Sequence, residues 1–200
     1  MGDSLRVSDR ATAEVVRGVN EVDKVQLTGK FYFEHWRDGE CIHREEVFNL
    51  ITNEGKDKLL GVMFDSETQI TSWYLGLISD TSFTAIAAGD TYAQIGGTNG
   101  WNEFTAYTDP ANADSAVTRA AWTNDAPSAQ SIANGTPVTV DITAGSSSVV
   151  KGLFLVGGAT AQTKGDSTSG SFLWCATTFS GGDRSVVTPD QLKLVYAVAS

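Results

Sequence analysis

Four residues near the start of the sequence spell the motif that carries the nucleophile in one class of hydrolases, Gly2-Asp3-Ser4-Leu5. In such enzymes the serine follows a buried strand, and a distant histidine acts as its base. Here Met1 alone precedes the motif, and the two histidines, His35 and His43, lie close together in one predicted hairpin. The arrangement does not support a serine hydrolase, so the sequence predicts a protein that is not an enzyme and has no catalytic residues.

The same hairpin contains residue types that bind metal ions. Glu34, Cys41, His43 and Glu45 fall on one face of it, and these types bind Zn²⁺. Their spacing matches no closed zinc motif, and a cross-strand polar pair between Glu34 and His43 explains two of them without a metal. We therefore expect no metal site there.

Two loops resemble ligand-binding loops in part. Asp109, Asn112 and Asp114 have calcium-binding side chains but lack the glycine and the distal glutamate of the EF-hand loop. Residues 158–165 are rich in glycine, but Thr163 precedes Lys164 where a phosphate-binding loop requires glycine. The sequence predicts no cofactor.

Three aromatic residues suggest another kind of site. Trp101, Tyr107 and Trp122 are the types on which carbohydrate-binding β-sandwiches stack sugars. Strands also favour aromatic residues for packing alone, so the interpretation as core residues is the stronger one.

Composition narrows the function further. The chain has 200 residues, of which 41% are hydrophobic, and a net charge of −10 from 14 basic and 24 acidic residues. Nucleic-acid binding requires clustered Lys and Arg, so no nucleic-acid partner is expected. No apolar stretch approaches the roughly 20 residues that span a bilayer, so no membrane partner is expected. The sequence also shows no targeting segment, and Cys41 and Cys175 are expected to be reduced thiols.

A β-hairpin is predicted over residues 24–51. Asp38-Gly39 is a favoured pair for a two-residue turn. In that register Arg37 faces Glu40, His35 faces Ile42 and Glu34 faces His43, which leaves charged and apolar residues on both faces. A hairpin on its own core has one polar face, so we expect this hairpin to project and to contact a partner.

One short helix and one central strand follow. Asn53 is predicted to cap a helix that ends near Phe64, with Leu59 and Met63, and Leu60 and Phe64, on one apolar side. Residues 73–78 are apolar on both alternating faces, which predicts a strand in the middle of a sheet, where Gly76 permits a close neighbour.

The remaining chain predicts a series of short strands. They cover residues 104–107, 116–122, 131–133, 138–142, 149–156, 171–179, 184–187 and 191–198. Asn134-Gly135 predicts a hairpin turn between two of them. The predicted fold is all-β, a sandwich or jelly-roll-like domain with an N-terminal arm, a β-hairpin and one short helix. The predicted divisions are an arm at 1–24, the hairpin and helix at 25–66 and the sandwich at 67–200.

Six sequence blocks together resemble small virion proteins of tailed bacteriophages, similar to head decoration or cement proteins. The blocks are Asn49-Leu50-Ile51-Thr52-Asn53-Glu54-Gly55, Trp73-Tyr74-Leu75-Gly76-Leu77-Ile78, Gly100-Trp101-Asn102-Glu103-Phe104-Thr105-Ala106-Tyr107, Arg119-Ala120-Ala121-Trp122, Gly152-Leu153-Phe154-Leu155-Val156 and Arg184-Ser185-Val186-Val187. The resemblance implies a β-domain on the outer surface of the phage head that stabilises the head by bridging capsid subunits. It implies as partners the major capsid protein and copies of the chain itself, as a dimer or trimer, and synthesis in the bacterial host cytoplasm.

The arm and the hairpin are the expected binding elements. The arm has too little patterned apolar surface to build a core, so a neighbour is needed to order it. The predicted interaction residues are Leu5, Val7, Val15, Val19, Val22, Phe31, Phe33, Trp36 and Ile42. The alternative function is a carbohydrate- or receptor-binding sandwich of a phage tail or fibre.

Overall fold

Short β-rich segments bounded by glycine, proline and asparagine dominate the structure, a computed structural model that describes residues 26–96, 100–112, 116–168 and 170–200. In chain order the elements are β1 (Thr28–Arg37), β2 (Glu40–Phe48), β3 (Leu50–Ile51), α1 (Asn53–Phe64), β4 (Trp73–Ser79), a 3₁₀ helix (Tyr92–Ile95), β5 (Glu103–Phe104), β6 (Tyr107–Thr108), β7 (Ala120–Ala121), β8 (Ser131–Ala133), β9 (Val138–Ile142), β10 (Ser148–Gly158), β11 (Ser171–Thr178), β12 (Arg184–Val186) and β13 (Gln191–Ala199). The predicted arm at residues 1–24 lies outside the described residues.

The strands form two antiparallel sheets, which confirms the predicted all-β sandwich with one short helix. The first sheet has the order β2-β1-β13-β9-β6, with β8 also paired to β13. The second has the order β3-β11-β10-β4-β5, with β12 paired to β10 and β7 paired to β4. The main core lies between them, where Phe31, Leu194 and Tyr196 of the first sheet meet Leu75 and Leu155 of the second.

The hairpin formed by β1 and β2 does not project, contrary to the sequence prediction. β1 pairs with β2 on one side and with β13 on the other, from Thr28 opposite Ala199 to Trp36 opposite Gln191. Charged and apolar residues on both faces led to the wrong prediction, because the polar residue that faces inward, His35, has a buried polar partner. Residues of the predicted 25–66 and 67–200 segments therefore share one sheet and one core.

The hairpin turn is confirmed, but the register beyond it is not. Asp38 and Gly39 have φ of 52° and 82°, as this turn requires, and Arg37 faces Glu40. A bulge then places His35 opposite His43 rather than Ile42. Such a bulge shifts every later pair by one residue, and the spacing of residues in the sequence does not reveal it.

The central strand is confirmed as β4, which pairs with β10 on one side and with β5 and β7 on the other. Its second face is buried too, because residues 80–96 and 100–102 fold over it and contribute Tyr92, Ile95 and Trp101 to a second apolar cluster. A Cβ atom on Gly76 would lie 2.1 Å from Cζ of Phe154, so glycine is required for this close approach.

Helix α1 begins one residue earlier than predicted, with Thr52 rather than Asn53 as its N-cap. The Thr52 hydroxyl accepts a hydrogen bond from the Gly55 amide at 3.0 Å. The helix packs through Gly55, where a Cβ atom would lie 2.6 Å from the Trp174 carbonyl oxygen. The predicted apolar side of the helix is only partly buried, because Leu60, Met63 and Phe64 near its C-terminal end face solvent.

The segment Asn134-Gly135 does not form the predicted hairpin. β8 and β9 pair one after the other with the same side of β13, and this segment lies between them, where the backbone pairing is interrupted. The side-chain amide of the buried Asn134 replaces the backbone hydrogen bonds that are missing there. Its oxygen accepts from the Tyr196 amide at 2.8 Å and from Trp122 Nε1 at 2.9 Å, and its nitrogen donates to the Leu194 carbonyl at 3.1 Å.

We expect Asn134→Ala to lower the free energy of unfolding by about 2–4 kcal/mol, because it leaves several buried groups without partners. Urea unfolding followed by circular dichroism measures the change. Asn124→Ala is the matched control; Asn124 is exposed, and its loss should change the free energy by about 0.5 kcal/mol or less. Equal effects of the two substitutions would contradict the role of Asn134.

Candidate interaction surfaces and buried polar clusters

A buried ion pair joins Arg119, just before β7, to Glu103, which begins β5. Both side chains are almost fully buried. Arg119 Nε donates to Glu103 Oε1 at 2.9 Å and Nη2 donates to Oε2 at 2.8 Å. This two-point geometry is the strongest form of the pair. Although burial opposes the charge, the bonds to Glu103 raise the pKa of Arg119 above its usual range, so it stays protonated.

The remaining Arg119 donors reach two covering segments. Nη1 donates to the Tyr92 hydroxyl at 3.0 Å and to the Ala161 carbonyl at 2.7 Å, and Nη2 donates to the Asp166 carbonyl at 3.1 Å. Tyr92 in turn donates to Asp166 Oδ2 at 3.0 Å. Burial lowers the pKa of nearby Lys164 to about 8, although Glu103 opposes the shift. These hydrogen bonds all join groups of the chain, and we interpret the cluster as a clamp on residues 80–96 and 159–168.

A second cluster joins the hairpin to the start of β13. Asp190 is fully buried; its Oδ2 lies 2.8 Å from His35 Nε2, and Arg37 donates to both carboxylate oxygens at 2.7 Å. The Val187 amide donates to Oδ2 at 3.0 Å. Although burial opposes ionisation, the bonds from Arg37 and His35 lower the pKa of Asp190 to about 2. Burial lowers the pKa of His35 despite Asp190, so His35 is neutral at neutral pH.

The four hairpin residues considered as metal ligands do not share one face. Glu34 accepts from Arg44 at 2.9 Å rather than pairing with His43, because the bulge shifts the register. His43 and Glu45 lie on the opposite face, where Glu45 accepts from the Gly181 amide at 3.0 Å. Within the described ranges, no group of three or more His, Cys, Asp and Glu side chains is placed to hold a metal ion.

The three aromatic residues considered as a sugar platform are core residues. Trp101, Tyr107 and Trp122 are 0%, 1% and 8% exposed. Trp101 packs against Phe154 in the second cluster, and Trp122 packs against Tyr196 in the main core. None of the three presents a ring face on which a sugar could stack.

Among the described residues, exposed large apolar side chains cluster at two places, while others such as Val117 are isolated. The first, the edge patch, consists of Phe48 at the end of β2 and Leu50 in β3, with Phe83 and Ile86 beside them. Phe48 is 68% exposed and Leu50 is 40% exposed. The second, the helix patch, consists of Leu60, Met63 and Phe64 at the end of α1, which are 54%, 62% and 77% exposed.

The predicted interaction residues have different positions. Phe31 and Phe33 are fully buried in the core, so they are not available to a partner, and that part of the prediction is wrong. Ile42 is 49% exposed on β2. Trp36 donates to Glu34 at 2.8 Å and lies under Lys193. The others, Leu5, Val7, Val15, Val19 and Val22, lie outside the described residues.

The sequence prediction missed the edge patch and left the helix patch unrecognised. Val47 and Phe48 are consecutive, and consecutive strand residues face opposite sides. Burial of Val47 therefore places Phe48 outward, a signal that the sequence does contain.

In the part of the chain that the structure describes, no helix is long and apolar enough to cross a membrane.

We expect Arg119→Met to lower the free energy of unfolding by about 3–5 kcal/mol, because it leaves the buried Glu103 carboxylate without the guanidinium group that balances its charge. Adding Glu103→Gln should restore part of the loss, since the uncompensated charge is then gone. Urea unfolding of the parent, the single variant and the double variant tests this. A double variant less stable than Arg119→Met would refute the explanation.

The His35 pKa predicts an acid-sensitive contribution to stability. The folded-state pKa is lowered, whereas an unfolded histidine titrates near 6.5, so protons bind preferentially to the unfolded chain below about pH 6.5. The contribution is complete above that pH and is lost as the pH falls towards the folded-state pKa. His35→Gln should therefore flatten the decline in unfolding free energy between about pH 7 and pH 5. The same measurement on His43→Gln separates this effect from the loss of any histidine, and an unchanged slope in His35→Gln would contradict it.

The chain matches no protein-family model, no curated protein and no solved structure. Evidence for a function therefore comes from the sequence blocks and from the exposed surfaces of the sandwich.

Proposed function

We propose that the chain is a structural protein of a tailed-phage virion, which decorates the outer surface of the head and stabilises it by bridging capsid subunits. Two kinds of observation support this. The six sequence blocks resemble head decoration proteins, and the sandwich exposes clustered apolar side chains of the kind that bind other proteins.

The edge patch is the observation that carries the proposal. Phe48 and Leu50 lie where the chain leaves the edge strand of the first sheet and enters the edge strand of the second. Edge strands present unpaired backbone groups beside these side chains, and a partner chain can use both. An exposed aromatic residue is also among the commonest energetic centres of protein interfaces.

Phe48 already has a neighbour on its own sheet. It lies opposite Lys30 on β1, whose ammonium group is 5.0 Å from the ring centroid. Lys30 also forms an exposed ion pair with Glu46 at 2.9 Å. Contacts that restrict the ring in the free protein reduce the conformational freedom it loses on binding, which favours affinity.

The proposed partners are the major capsid protein and further copies of this chain. The proposal involves no catalytic step, nucleic acid or membrane. The buried polar side chains of Arg119, Asp190 and Asn134 form hydrogen bonds with other groups of the chain. The alternative is a carbohydrate- or receptor-binding module of a phage tail or fibre. The aromatic rings considered for stacking sugars are packed in the core, so they do not favour carbohydrate binding.

We expect Phe48→Ser to weaken binding to phage heads that lack this protein at least tenfold, about 1.4 kcal/mol, while the melting temperature stays the same. Co-sedimentation with such heads over a range of protein concentrations gives the affinity. Val117→Ser is the matched control, because Val117 is 64% exposed and distant from the patch in the chain. If the parent protein does not co-sediment with heads, the proposed function fails. If the parent and Phe48→Ser bind equally, the edge patch is not the contact surface.

A further inference from the structure

A groove opens between the two sheets at the end of the sandwich that α1 covers. It has a volume of about 360 Å³ and is lined mainly by apolar side chains from both sheets and the helix. Leu59 and Val62 form its helix wall, Trp73 belongs to the second sheet, and Ile132 and Val198 belong to the first. We call this the inter-sheet groove.

The walls of the groove are already well packed. The Trp73 ring lies edge-on to three other aromatic rings, with centroids 6.2 Å from Trp122, 5.4 Å from Phe172 and 6.0 Å from Trp174. Closely packed side chains of this kind resist rearrangement, because protein interiors have low compressibility. The groove is therefore a preformed apolar site, and an apolar occupant is favoured because it removes these walls from water.

The chain itself supplies a candidate occupant at the rim. Leu27 lines the groove, and residues 1–25 join the described structure one residue before it, at Gln26. This segment carries valines at positions 15, 16, 19, 22 and 25. A segment tethered at the rim has a high effective concentration at the groove, which gives it an advantage over any free partner.

We propose that residues 15–25 bind in the inter-sheet groove of their own chain through these valine side chains. The groove meets the requirement, derived above, that a neighbour must order the arm, since the sandwich itself is that neighbour. This assigns Val15, Val19 and Val22, which the sequence predicted to contact a partner, to the chain's own groove. The test is separate from that of the virion function, because it uses the isolated chain and does not involve the edge patch.

A double-mutant cycle in the full chain tests the proposal. The arm variant is Val19→Ser with Val22→Ser, and the groove variant is Val62→Lys, which places a charge on the helix wall. We expect the arm variant to lower the melting temperature of the parent by several degrees and to have no further effect in the Val62→Lys background. Ala11→Ser, outside residues 15–25 and outside the predicted interaction residues, is the control and should have no effect in either background. Additive shifts of the arm and groove variants would overturn the proposal.

A second measurement does not require a substitution in the sandwich. The methyl resonances of Leu59 and Ile132 should shift between the parent and the arm variant, whereas those of Val140, in the core and away from the groove, should not. Unchanged Leu59 and Ile132 resonances would overturn the proposal. Sedimentation velocity identifies the other occupant: a dimer that the arm variant dissociates would show that the arm binds the groove of a second copy, which overturns binding within one chain.

Discussion

The second sheet is buried on both of its faces, and the rest of the described structure depends on this constraint. One face packs on the first sheet, and the other packs under residues 80–96 and 100–102. On that covered face the Phe154 ring lies over Gly76, where a Cβ atom would clash with it. An antiparallel sheet usually leaves one face to water. Here a long irregular segment must cover that face and bring its polar backbone groups with it.

Buried polar side chains meet that requirement where regular pairing stops. Arg119 and Glu103 bind the backbone and side chains of the segments that cover the second sheet. Asn134 supplies hydrogen bonds where the edge along β13 is interrupted, and Asp190 satisfies the Val187 amide while holding the hairpin end. Each of these residues resembles a functional residue by type and burial. Their partners show that they stabilise irregular connections, because a buried polar group without a partner costs more than its hydrogen bond contributes.

The same constraint decides which surfaces can bind a partner. Trp101, Tyr107 and Trp122 are used in the two cores, so they cannot form an external platform. The edge patch and the helix patch lie where the sheets and the helix end, and the inter-sheet groove lies where the two sheets separate beneath α1. A partner that binds at these places contacts the ends of the sandwich and not the sheet faces that pack in the two cores.

The amino-acid sequence by itself determined the local elements of this protein. Runs of β-forming residues between turn residues predicted most strands, two-sided hydrophobicity identified β4 as central, and Asp38-Gly39 determined the hairpin turn. The single strand predicted at 104–107 is wrong, because its two ends belong to β5 and β6 in different sheets. These features depend on neighbouring residues, whose preferences are visible in sequence. Only the tertiary structure decided that β1 pairs with β13, that Ile42 lies at a bulge, that Asn134 interrupts an edge and that Arg119 and Asp190 have their partners. Thr28 and Ala199 are paired although almost the whole described chain separates them, and the packing of the two sheets selects such contacts. Local preference carries no information about which distant strand or buried charge will be the neighbour.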